Sequence, residues 1–129
     1  MTIKEQVNYW IEIAEHDLPV AQNLFENGYY VWCLFIGHLI LEKIIKAHYV
    51  NDTGKTPPKI HDLVKLSDKT KLNFTNEQKG FLLKVNNYNL EIRYPDFKMS
   101  AFKAYDKTYT EENFNKIKEM YQWLKSLLI

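Results

Sequence analysis

Residues 29–50 read YYVWCLFIGHLILEKIIKAHYV, and the fold turns on them. At about 100° per residue, Trp32, Phe35, Ile36, Leu39, Ile40, Ile44 and Ala47 cover one side of a helix. Leu34, Leu41 and Ile45 cover the opposite side. Only a narrow stripe stays polar: His38, Glu42, Lys46 and the Tyr49 hydroxyl. A helix that is apolar nearly all round must be buried nearly all round. One small bundle seldom covers both sides of a helix, so the pattern predicts that one side faces the bundle. The other side, with Leu34, Leu41 and Ile45, is then expected to face a second copy of the chain as a dimer seam.

On the N-terminal side of this stretch, residues 3–26 place Ile3, Val7, Trp10, Ile11, Ala14, Leu18, Ala21, Leu24 and Phe25 at helical spacing. Pro19 lacks an amide hydrogen, which predicts a kink or a restart capped by Asp17. Asn27-Gly28 should end this helix. Residues 51–59 form the clearest loop, followed by a short helix from His61 to about Asp68. Thr75 and Gln78 have capping-box spacing ahead of a helix running to Arg93, where Pro95 stops it. Tyr94, Phe97, Phe102, Tyr105 and Tyr109 show no clean period, which predicts a packed irregular connection over 94–109. Thr110 is then expected to cap a last helix with Phe114, Ile117, Tyr121, Leu124 and Leu128 inward. The expected architecture is all-α: an up-and-down four-helix bundle with one extra short helix.

Composition narrows the function classes. A chain of 129 residues suffices for one domain, 1–129, with one core. Lys and Arg number 17 against 16 acidic residues, so no global field recruits polyanions or a membrane. The apolar run from Tyr29 to Leu41 is shorter than the ~20 residues a bilayer requires. The lone Cys33 reads as a small core residue in a reducing compartment. With no apolar run behind the N-terminal charge, a cytoplasmic location is expected. No cofactor is expected, and no metal: bundle di-metal sites use Glu-x-x-His pairs, which this sequence does not contain.

Trp10 and Ala14, Asp17-Leu18 then Ala21, and Gly28-Tyr29-Tyr30 begin a longer pattern. It continues through Leu41-Glu42-Lys43-Ile44-Ile45-Lys46-Ala47, Pro57-Pro58, His61-Asp62-Leu63 with Leu66, and Arg93-Tyr94-Pro95. In order and spacing this set resembles a minimal HEPN domain of the small prokaryotic kind, from about residue 8 into the last helix. The resemblance implies a homodimer of helical bundles. It also implies nucleotide or RNA binding, or partnership with a minimal nucleotidyltransferase in a toxin–antitoxin-like pair. Active members cut RNA without metal through an Arg, four to six residues, then His. Arg93 would match that Arg, yet the positions where the His should fall hold Lys98, Met99 and Ser100. All four histidines, His16, His38, His48 and His61, precede Arg93. The ribonuclease motif is absent.

Two polar stripes remain as a candidate ligand site: His38, Glu42 and Lys46 on one helix, and Asn86, Asn89 and Arg93 on another. Facing each other, they would form a cleft for a phosphate, with Arg93 as the bidentate donor. With Lys43 and Tyr94 from the family pattern, the candidate ligand-binding set is His38, Glu42, Lys43, Lys46, Asn89, Arg93 and Tyr94. The alternative is a structural salt-bridge network, which Glu42 four residues before Lys46 already favours. His61-Asp62 reads either as a base oriented by an acid or as a helix cap. Three function classes follow: a non-catalytic dimeric binding module, a metal-independent endoribonuclease using His38 or His61, and a pure interaction scaffold.

Overall fold

The computed structural model describes residues 1–96 and 98–128. Among them, four long helices and two short ones follow in order, with no strand. Helix α1 (Ile3–Glu26) starts at Thr2, whose hydroxyl accepts from the Glu5 amide while the Glu5 carboxylate takes the Thr2 amide. It runs on through Pro19 without the restart that was one of the two expectations there. Pro19 is exposed and Asp17 is occupied elsewhere, so the single lost hydrogen bond falls on the solvent side.

Helix α2 (Tyr30–Thr53) runs three residues beyond the expected Val50. Gly54 ends it at φ 69°, a left-handed turn that returns an amide to the Val50 carbonyl. Helix α3 (Leu63–Ser67) is capped by Asp62. Helix α4 (Asn76–Arg93) starts with the expected Thr75/Gln78 capping box. The connection expected to be irregular contains a fifth helix, α5 (Ser100–Ala104); Phe97 lies outside the described residues. Helix α6 (Lys107–Ser126) is capped by Asp106, not Thr110. Thr110 lies inside the first turns, buried, with its hydroxyl unpartnered.

The long helices form an up-and-down bundle with α2 as its axis: α1, α3, α4 and α6 all pack against it. This corrects the expected dimer seam. Leu34, Leu41 and Ile45 are 0% exposed within one chain. On the helix they lie between Gly37 and His48, which meet α6, and His38, which meets α4. They fill the seam between those two helices. A Cβ on Gly37 would sit 2.7 Å from the tip of Ile117, so glycine is what allows α6 its close approach. Ile40, Ile44 and Ala47, on the opposite side, are equally buried. Each such Leu or Ile contributes about 1.5–3 kcal/mol relative to exposure. What α2 leaves open is a third direction, where Trp32 is exposed and Phe35, Ile36 and Leu39 are half-buried.

Candidate functional site

The polar stripe of α2 is buried too, and its charges find partners from three other elements. Glu42 is the hub, its side chain 7% exposed. Oε2 accepts from Lys46 Nζ at 3.0 Å, one helical turn along. Oε1 accepts from His61 Nδ1 at 2.8 Å, across the loop between α2 and α3. The buried Lys46 ammonium also lies 5.4 Å from the centre of the Trp10 ring of α1, a cation–π contact. An ion pair removed from water needs this degree of satisfaction, because desolvation costs several kcal/mol per ion.

His38 is fully buried and fixes the position of His61. Its Nε2 meets the His61 carbonyl at 2.8 Å. A carbonyl can only accept, so Nε2 carries the proton. Nδ1 then accepts from Asn89 Nδ2 of α4 at 3.3 Å. Burial holds the His38 pKa below its ordinary value, although the Glu42 charge and the His61 carbonyl pull it up. The ring is neutral and both its nitrogens are engaged, which removes His38 as a surface nuclease base.

Asp62 proves to be a cap: one of its carboxylate oxygens takes the amides of Val64 and Lys65. Asn86 ties that corner to α4, accepting from the Leu63 amide at 2.8 Å and donating to Asp62 Oδ1 at 3.1 Å. His61 is therefore oriented by Glu42, not by its neighbour Asp62, and its side chain stays 50% exposed. Beside it opens a cavity of about 150 Å³ lined by His61, Asp62, Asn86, Asn89 and Leu90. A larger groove of about 570 Å³ runs between α4 and α6 over Phe81, Met120 and Trp123. None of its polar lining residues is buried. The buried, oriented polar groups belong to the smaller cavity.

Of the candidate residues, His38, Glu42, Lys46 and Asn89 are thus brought together. Lys43 is not: it points to α1 and pairs with Asp17. Arg93 and Tyr94 lie exposed at the C-terminal end of α4, and among the described residues no carboxylate lies within ion-pair distance of Arg93. Sequence reasoning left His61 outside the candidate ligand set and missed its bond to Glu42, since no spacing rule links residues 19 apart across a loop. It missed Trp10 as the cover of Lys46 for the same reason. Tyr105 and Tyr109 stack at 4.7 Å, and the Tyr88 and Tyr109 hydroxyls meet at 2.9 Å. Those rings therefore pack onto α4, and Phe102 and Tyr94 are left outward. Among the described residues, no three His, Cys, Asp or Glu side chains gather as a metal site, and no helix is long and apolar enough to cross a membrane.

These features define an all-α bundle protein whose central helix carries a buried carboxylate–lysine–imidazole cluster. The chain belongs to the HEPN domain family, whose model matches residues 7–127. The structure is similar to that of TT1696 from Thermus thermophilus, with a TM-score of 0.77 at 16% identity. That likeness covers 94% of this chain and 97% of the other. It is also similar to ST0689, described as an archaeal HEPN homologue. There the TM-score is 0.75 at 22% identity, over 96% of this chain and 98% of the other. No curated protein sequence matches the chain.

Proposed function

We propose that this protein is a dimeric HEPN binding module. It binds a nucleotide or RNA, or holds a minimal nucleotidyltransferase in a toxin–antitoxin-like pair, and it does not use the family's Arg-x4–6-His ribonuclease route. One observation carries the reading: an exposed apolar face that runs from the start of α2 to the end of α4 and over α5. Tyr29, Trp32 and Phe102 line one depression of this face, and Tyr94, Met99 and Phe102 line the next. Trp32 is 46% exposed and Tyr94 77%. Four rings at about half exposure, each of about 150–250 Å², offer roughly 300–550 Å². Met99 and the half-buried Phe35 and Leu39 extend the face toward the ~800 Å² per partner of a standard interface.

The occupant is a second copy of the chain, related by a two-fold axis. Arg93 lies exposed beside Tyr94 at the end of α4, so the pairing brings near one seam two guanidinium groups that have no ion-pair partner among the described residues. Light scattering at micromolar concentration tests the dimer. A mass near twice 15.4 kDa is expected, falling to one copy in Trp32→Glu; a monomeric wild type overturns it. Titration of nucleotides against wild type and Arg93→Ala tests the ligand, and no binding of any nucleotide overturns that part.

A second reading has its own observation. The Glu42–His61 bond leaves Nε2 of a half-exposed imidazole outward, the arrangement of an oriented general base. An endoribonuclease built on it would cut RNA in the presence of chelator and lose activity in His61→Ala. Intact RNA after long incubation at high protein concentration removes this reading.

A further inference from the structure

The hydrogen-bond inventory of the cavity beside His61 is one-sided. His61 meets Glu42 through Nδ1, which leaves Nε2 on its outward edge. Asp62 uses a single oxygen, Oδ1, for Val64, Lys65 and Asn86. Among the described residues its Oδ2 has no partner. Asn89 is only 5% exposed, and its Nδ2 is committed to His38. Its Oδ1 has no partner among the described residues and is not a sealed orphan, so it opens to the cavity. Two unpartnered acceptors, one of them a carboxylate oxygen, therefore belong to residues lining the cavity, with Leu90 as an apolar wall. A purely structural corner pinning α3 to α4 would need only Asp62 Oδ1 and Asn86.

We infer that this cavity takes the guanine base of a nucleotide, with Arg93 left to meet its phosphate. The inference rests on the nucleotide-binding reading above and names the ligand within it. At about 150 Å³ the cavity is well below the ~300 Å³ of a drug-sized site. It admits one flat ring system and leaves sugar and phosphate outside. Guanine is the base with two adjacent donors, N1–H and N2–H, which suit Asp62 Oδ2 and the neighbouring acceptor. Adenine and cytosine offer one amino group beside an acceptor nitrogen, and uracil a single N–H between two carbonyls. Arg93 follows Asn89 by one turn on the same face of α4, exposed and able to grip a phosphate in bidentate fashion. A guanidinium from a protein partner offers the same paired donors, and the experiment separates the two.

The test is calorimetric titration of GMP, AMP, CMP, UMP, inorganic phosphate and N-acetylarginine amide into the full chain. GMP is expected to bind at least about tenfold tighter than UMP, the discrimination of one good bidentate contact. Asp62→Asn preserves the helix cap, since Asn caps as well as Asp, and is expected to abolish the preference for GMP. Arg93→Ala should weaken all four nucleotides alike. Leu90→Trp, at an exposed position where folding is not at stake, should close the cavity and give the same loss of preference as Asp62→Asn. Equal binding of all four nucleotides, unchanged in Asp62→Asn, overturns the base assignment while the nucleotide reading stands. N-acetylarginine amide binding in place of GMP overturns it in favour of a protein partner's arginine. No binding by any nucleotide overturns both.

Discussion

Replacing Glu42 by Gln removes the one negative charge that pairs with the buried Lys46 ammonium among the described residues. The two side chains are 7% and 8% exposed and 3.0 Å apart, so little water can enter in compensation. Breaking one side of a buried pair costs about 3–5 kcal/mol, because the other charge stays desolvated. The His61 contact adds little, since that ring is half in water. Unfolding entropy of about 2.1 cal/mol/K per residue gives about 0.27 kcal/mol/K for a chain of 129 residues. The midpoint of thermal unfolding, followed by circular dichroism at 222 nm, should therefore fall by about 11–18 °C. The double variant Glu42→Leu/Lys46→Met should recover most of that loss, since it strands no charge. A drop of less than about 3 °C in Glu42→Gln would refute the reasoning, as would a double variant no more stable than the single one.

Three further outcomes follow from the packing. Burial keeps the pKa values of His38 and His48 below the unfolded value of 6.5, so below pH 6.5 the unfolded chain binds protons first. Stability is then full above pH 6.5 and falls as pH drops toward the folded values, by up to about 1.4 kcal/mol per pH unit for each ring; urea midpoints that stay flat from pH 7 to 5 would contradict this. The Cys33 thiol, pushed up to about 12 by burial, should resist a thiol reagent in the native protein and react on unfolding. Leu34→Ala should cost about 2–5 kcal/mol in denaturant unfolding while the dimer mass is retained, whereas Trp32→Glu should lower the mass with little loss of stability.

The helices were legible because their signals are local. Thr75 and Gln78 lie three residues apart and close a capping box whatever else the chain does. Pro19 did not restart the helix, because the one hydrogen bond it gives up lies on an exposed side where water can replace it. Thr110 misled as a cap because Asp106, four residues earlier, has a better acceptor for the exposed Tyr109 amide. Half the polar site was visible as the stripe His38, Glu42, Lys46 on one helix. Its other half, His61 and Trp10, comes from elements joined to α2 only by folding.

Residue type and short spacing were enough to establish that the chain is helical, roughly where its long helices begin and end, and that α2 must be deeply buried. They also established that no histidine follows Arg93. The chain carries this information with it, folded or not. The direction in which α2 faces was settled by its neighbours. A helix apolar on two sides has no preferred inward direction until other helices take their places around it. With α1 on one side and α4 and α6 on the other, Leu34, Leu41 and Ile45 went into the core and Trp32 was left outside. The same packing sent Lys43 to Asp17 and joined Glu42 to His61, pairings set by distances in space that no spacing along the chain encodes.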